Sequence, residues 1–361
     1  MKKNSPNLLN QHLLKFNRFR MGIGRDVING LRLDRNEKVD NWPKNFYKKV
    51  FHKLPDSFWS TYPDHNSIYV KLAKFLRVKE DQILISSGMD GSICHIFNFL
   101  TKPGDYVGVL SPTYAMYYVY SKIFKTKLFK FENYKNLVLQ FNNDLKIFLR
   151  KKPRLLFIPN PNQPIENYFG LKELEKIILK CQKVGCLVVI DEAYYMFGSK
   201  SSIQLIKKYS NLIVLRNFSK AFGVASARIG ITVSSNKIMK LLSNARPAHE
   251  IPSPSIAIGE YLLDNIHIVK KSAKEVVMGR NYCKKELSKL NIKCRGSYGN
   301  YLLIDLKDRH TKSSICKNLK KNKIYIKNFN DKILENYILI TVGPVSSMRK
   351  FLKVFRGSLK N

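Results

Sequence analysis

Four clusters of reactive side chains each close an apolar run. The run 212–215 leads into Asn217, Phe218, Ser219 and Lys220, and Arg228 follows eight residues after the lysine. The run 187–190 leads into Asp191, Glu192, Ala193 and Tyr194, "LLFIP" opens into Asn160-Pro161-Asn162-Gln163-Pro164, and "VGVLSPT" ends at Tyr114. Runs this free of polar residues are what parallel strands covered on both faces require, and ligands collect at the carboxyl ends of such strands. An amine, a carboxylate, tyrosines and amides on one rim could hold a reactive aldehyde cofactor. Lys220 could bind it as a Schiff base, Asp191 could keep a pyridine nitrogen protonated, and Arg228 could fork onto a phosphate. Taken singly, each has a plainer reading: Ser-Lys pairs are common in a lysine-rich chain, an aspartate after a strand often caps a turn, and tyrosines often line sheet edges. Order and spacing together favour chemistry.

The elements that must position these residues are legible as patterns. Residues 171–185 place Leu171, Leu174, Ile177, Ile178 and Cys181 on one helical face, with Gly185 set to end the helix. Alternation of such helices with short apolar strands over about 60–255 reads as an α/β domain with a mostly parallel, doubly wound sheet. A helix after Lys220 is expected to bring Arg228 back to the rim. Beyond "PAHEIPSPS" (247–255) a long helical stretch is followed by "GNYLLIDL", "KIYIKNF" and "NYILITVGP", the pattern of a smaller α+β lobe. The expected division is an arm, 1–45, that adds to the small domain and the active-site entrance, a large domain, 46–255, and a small domain, 256–361.

The chain has 361 residues, with 64 Lys plus Arg against 26 Asp plus Glu and a formal net charge of +38. A field of that strength attracts anions of any kind, but the basic residues are spread along the whole length rather than gathered on one arm or helix. A nucleic-acid partner is therefore not the favoured reading. The six cysteines form no CxxC pair and have no histidine at ligand spacing, which suits a reducing, cytoplasmic compartment and no metal. No run approaches the roughly 18 apolar residues of a membrane span. "GIG" at 22–24 lacks the third glycine and the preceding strand of a dinucleotide fingerprint, so it reads as a loop.

Nine stretches in order, "LRLDRNE" (31–37), "YPD" (62–64), "SSGMDGSI" (86–93), "SPTYAMY" (111–117), "NPNQP" (160–164), "IDEAYYMF" (190–197), "NFSKAFGVASARIG" (217–230), "GNYLLID" (299–305) and "LITVGP" (339–344), run across nearly the whole chain. As a set they resemble the class I/II aminotransferases of fold type I, and most of all the histidinol-phosphate aminotransferase group. The resemblance implies pyridoxal 5'-phosphate as cofactor and ping-pong transamination of a small phosphorylated or nucleotide-linked amine or ketone. It implies that Lys220 carries the cofactor and moves the proton at the substrate's α-carbon, Asp191 pairs with the pyridine nitrogen, and Tyr194 bonds the ring's phenolic oxygen. Tyr114 stacks on the ring, and Asn160 and Gln163 belong to the amide loop beside it. The amides of Met89 and Asp90 cradle the phosphate together with Ser219 and Arg228. Tyr62 reaches the neighbouring subunit's phosphate, so a homodimer is implied. Arg35, Asn36, Arg246 and Asn300 are the expected substrate contacts.

Three positions depart from the family pattern. Gln163 stands where asparagine is usual, with Ile165 and Glu166 in place of Thr-Gly, and Asn217 stands where a hydroxyl residue is common. The third is Leu339, two residues before Thr341, where the family carries the arginine that binds the substrate's anionic group. Arg246, His249, Arg35 and Arg25 are candidate replacements. Two other activities stay open on the sequence: a decarboxylase of O-phosphoserine or O-phosphothreonine type, and a basic nucleic-acid-binding protein built on the same fold.

Overall fold

The computed structural model describes residues 11–14, 29–52, 54–329 and 331–359. Its strands are β1 (Leu31–Leu33), β2 (Ile83–Ser87), β3 (Tyr106–Leu110), β4 (Lys127–Phe131), β5 (Tyr134–Lys135), β6 (Val138–Leu139), β7 (Leu155–Pro159), β8 (Leu187–Asp191), β9 (Leu212–Asn217), β10 (Ile229–Ser234), β11 (Cys294–Arg295), β12 (Tyr301–Asp305), β13 (Ile324–Asn328) and β14 (Tyr337–Thr341). Seven of them form one sheet in the order β2-β10-β9-β8-β7-β3-β4. Its neighbours run parallel except at β10, which is antiparallel to both β2 and β9. The mixed sheet of an α/β domain with helices on both faces is thus the observed architecture.

The apolar runs have a simple physical cause. Alternate residues along a strand face opposite sides of the sheet. Leu156, Ile158, Val188, Ile190, Leu212 and Val214 therefore enter one core. Leu155, Phe157, Val189, Ile213 and Leu215 enter the other. Each such side chain contributes about 1.5–3 kcal/mol on burial. The helix predicted at 171–185 spans Leu171–Gln182 and buries Leu174, Ile177, Ile178 and Cys181. Gly185, at φ +72, completes the turn into β8.

A second sheet has the order β1-β13-β14-β12-β11. β1 adds to its edge parallel to β13, so the segment 31–33 belongs with the smaller sheet. The helix Ser253–Asp264, however, packs on helix Asn66–Leu76, and Ile256, Leu262, Leu263 and Val269 join the main core. We therefore propose that the division falls inside the following helix, Ile266–Ser288, rather than at 255. The change from strand-helix alternation to continuous helix precedes the change of core. Among the described residues no helix is long and apolar enough to cross a membrane.

Candidate active site

β3, β7, β8 and β9 lie side by side in the large sheet, so their carboxyl ends share one rim. Asp191 closes β8 and is 4% exposed. Its Oδ1 accepts from the Ala193 amide at 2.8 Å and its Oδ2 from the Tyr117 hydroxyl at 2.6 Å. Burial raises its pKa to about 6, and these two hydrogen bonds, which favour the charged form, hold it from rising further. Tyr117 was not singled out in the sequence. It lies one helical turn after Tyr114 on the helix Ala115–Ile123 and is fully buried, and that spacing was the available signal.

Lys220 sits in the turn that leaves β9. The Asn217 side-chain oxygen accepts from the amides of Ser219 at 2.9 Å and Lys220 at 3.2 Å, which fixes the turn and explains asparagine in place of a hydroxyl residue. The Lys220 amine donates to the Arg35 carbonyl at 3.0 Å. Burial, aided by the charges of Lys327 and Arg228, lowers its pKa to about 8 against the opposing pull of Glu37 and Asp191. No α-helix follows it, contrary to expectation. Gly223, at φ +67, turns the chain at once, and a 3-10 turn, Ala225–Ala227, delivers Arg228 in the left-handed region at φ +50.

The Arg228 guanidinium bonds the Asp90 carboxylate at 3.1 Å, and the Tyr114 hydroxyl donates to the same carboxylate at 2.5 Å. Both groups stand at the N-terminus of the helix Gly88–Leu100, which presents the amides of Met89 and Asp90. Glycine is required here: a Cβ on Gly88, at φ +71, would lie 2.4 Å from Arg228 Nη2, and one on Gly230 would lie 2.3 Å from the Gly88 carbonyl oxygen. A helix N-terminus with a guanidinium aimed across it is an anion cradle. Ser219, next to Lys220 in the chain, is partly buried.

Tyr194 is buried, which raises its pKa. Its hydroxyl accepts from Asn36 Nδ2 at 2.8 Å and so keeps its own proton to donate. Asn36, at φ +55, is held in turn by Thr341, whose Oγ1 accepts from the Asn36 amide at 2.7 Å. Asn300 donates to the Asn36 carbonyl at 3.1 Å, while its own Oδ1 is buried with no partner among the described residues. Asn300, Glu37, Val276 and Val342 line a small cleft onto which Lys220 opens.

Several residues expected at the ligand are engaged within the protein. The Asn160 side chain clamps the Phe169 backbone through both its oxygen and its nitrogen. Asn162 likewise bonds Pro112, Thr113 and Ile165, which leaves Gln163 as the amide of the loop that makes no hydrogen bond among the described residues. Asn36 is spent on Tyr194 and Thr341. The guanidinium of Arg35 faces Asp34 at 3.8 Å, and only its backbone carbonyl meets Lys220. Arg246 is committed to Glu250 at 2.7 Å. His249 stacks on Tyr62 with ring centroids 4.6 Å apart, and Tyr62 is 84% exposed. Arg25 and the "GIG" loop lie outside the described residues. Leu339 is fully buried against Tyr194, Ala221, Tyr301 and Leu303.

The donor set suits pyridoxal phosphate. A lysine with a lowered pKa, a buried carboxylate with a raised one, a tyrosine with a free proton and a glycine-cleared anion cradle are the groups needed by its aldehyde, ring nitrogen, phenolic oxygen and phosphate. Comparison with known proteins agrees. The family model "Aminotransferase class I and II" matches residues 31–355. A histidinol-phosphate aminotransferase of Clostridium novyi is 31% identical over 91% of this chain and 91% of its own length. In fold, the chain matches the histidinol-phosphate aminotransferase of Sinorhizobium meliloti in complex with pyridoxal-5'-phosphate with a TM-score of 0.83 at 19% identity, over 98% of this chain and 99% of that one. It also matches the L-threonine-O-3-phosphate decarboxylase of Porphyromonas gingivalis with a TM-score of 0.73 at 18% identity, over 92% and 100%. The chain belongs to the class I and II aminotransferase family and is a pyridoxal-phosphate-dependent aminotransferase.

Proposed function

We propose that this enzyme transfers an amino group between the L-glutamate/2-oxoglutarate pair and a small phosphorylated amine of the histidinol phosphate type with its corresponding ketone. The observation that carries the proposal is the gathering of Lys220, Asp191, Tyr194 and Arg228 on one rim, in a chain 31% identical to a histidinol-phosphate aminotransferase across nine-tenths of both lengths.

Bound pyridoxal phosphate supplies an aldehyde to accept the amino group and a pyridine ring that withdraws electrons from the reacting carbon. The residues of the chain do the rest. Arg228 and the amides of Met89 and Asp90 would hold the phosphate, with Ser219 as a further donor. Asp191, kept in place by Tyr117 and Ala193, holds the proton of the ring nitrogen. Tyr194 would donate to the phenolic oxygen with Gln163 as the second donor, and Tyr114 would stack on the ring. Lys220, with its lowered pKa, is largely a neutral amine above about pH 8 and moves the proton at the substrate's α-carbon. Asn300 turns its unpartnered oxygen to the substrate. Tyr62, which is exposed, would reach the phosphate of a second copy, so that the working form is a homodimer. The six free cysteines suit a reducing cytoplasm.

The test is turnover. Purified protein with histidinol phosphate and 2-oxoglutarate should form glutamate, and Lys220→Ala should not. Carbon dioxide released from O-phosphothreonine or O-phosphoserine, with no amino transfer, would sink the proposal in favour of a decarboxylase.

A further inference from the structure

Asn300 lines the cleft onto which Lys220 opens, and it ends a turn, 296–300, between β11 and β12. That turn contains Gly296, at φ +140, and Gly299, so its own sequence constrains its backbone weakly. The amides of Ser297 and Tyr298 have no backbone acceptor among the described residues. They meet instead the carboxylate of Glu166, from the amide loop that carries Gln163.

Glu166 Oε1 accepts from the Ser297 amide at 2.9 Å and from the Tyr298 amide at 2.9 Å, and Oε2 accepts from Ser297 at 2.7 Å. Hydrogen bonds to an ionised acceptor are stronger than neutral ones. Two residues further on, Tyr168 stacks on Tyr298 with ring centroids 4.0 Å apart. The Tyr301 hydroxyl, just past the turn, donates to the Asn162 carbonyl. From the helix Ile266–Ser288, buried Arg280 donates to the Gly299 carbonyl at 2.7 Å and to the Phe197 carbonyl at 3.0 Å. Burial lowers the pKa of Arg280 and the charge of Glu166 opposes that shift, so the same carboxylate supports the buried guanidinium that grips the other end of the turn.

We infer that Glu166 is a positioning residue for the substrate side of the reaction: it ties the turn 296–300 to the amide loop and so fixes Asn300 in the cleft. The glycine usual at this point of the family pattern has no side chain to make the tie, so the device belongs to this chain. A turn ordered before the substrate arrives loses no further freedom on binding. Without the tie, binding weakens while the chemical step keeps its own residues.

The inference rests on the aminotransferase reading for its kinetic arm only. Hydrogen–deuterium exchange of the substrate-free holoenzyme reads the tie directly. Glu166→Ala should speed exchange at 296–300 about tenfold and leave β8 and β9 as in the wild type. Glu166→Gln keeps the oxygen that accepts from both amides and should exchange within about threefold of the wild type. In turnover with 2-oxoglutarate, Glu166→Ala should raise KM for histidinol phosphate about tenfold and change kcat less than about threefold. In an Asn300→Ala background the same substitution should add nothing, because both changes act at one contact, whereas a merely structural role would make the two effects multiply. If the wild type does not turn over histidinol phosphate, the proposed substrate falls and the exchange measurement still decides the role of Glu166. Unchanged exchange at 296–300 in Glu166→Ala, or a KM penalty as large with Asn300→Ala as without it, would overturn the inference.

Discussion

The lysine at 220 and the aspartate at 191 are tuned in opposite directions by one cause, burial of the charged form. For Lys220 this puts the titration near working pH. Loading of the cofactor-free protein with pyridoxal phosphate should accelerate as pH rises through about 8 and then level off, as read from growth of the visible absorption band. An inflection near 10.5, the ordinary lysine value, would contradict the burial argument. For Asp191 the pKa of about 6 exceeds the ordinary 3.8, so the folded protein holds a proton that the unfolded chain has released. The stability from this group is complete below about pH 4 and is lost as pH rises through about 6. The melting temperature of cofactor-free wild type should therefore decline across that window relative to Asp191→Asn. Tyr117→Phe removes a hydrogen bond to the charged carboxylate and should lower kcat about tenfold with little change in KM. A wild-type kcat would show that Asp191 is held well enough by Ala193 alone. Lys220, Asp191, Tyr194 and Arg228 were legible because reactive residues at the ends of apolar runs are conspicuous. Tyr117 was not, because it acts through a partner that only folding brings near, Asp191, 74 residues away.

Among the elements, β10 is the one on which the site turns. It pairs antiparallel with β2 and β9, begins directly after Arg228, and passes so close to the helix Gly88–Leu100 that Gly230 has no room for a side chain. Gly230→Ala should destabilise the fold by about 1–3 kcal/mol and, by pushing the phosphate cradle apart, raise the cofactor's dissociation rate. A denaturation midpoint and cofactor retention equal to wild type would refute that reading. The parallel strands β3, β7, β8 and β9 were readable from unbroken apolar runs. β2 and β10 were harder, since serines close β2 and glycine, threonine and serine interrupt β10. The helix expected after Lys220 failed for a local reason, the left-handed Gly223, which a pattern of apolar spacing does not report.

At the scale of the molecule, the two sheets meet where the arm segment around Asn36 is clasped by Tyr194 from the large domain and by Thr341 and Asn300 from the small one. That clasp explains why residues from such distant parts of the chain act together, and it was foreshadowed only by the assignment of 1–45 to the active-site entrance. Tyr62 is exposed on its stack with His249, where the proposed homodimer would use it at the second subunit's site. Subunits of Tyr62→Ala and Lys220→Ala, each impaired alone, should regain activity when unfolded and refolded together, because each mixed dimer holds one site with both residues intact. No gain on mixing would confine Tyr62 to its own subunit.

The most direct test of the whole account is the visible spectrum of the pyridoxal phosphate-loaded protein before and after L-glutamate, with Lys220→Ala alongside. The account predicts a band in the wild type that glutamate bleaches and that Lys220→Ala never forms. A band that forms equally in Lys220→Ala, or one in the wild type that persists against glutamate and every other amino donor, would contradict it.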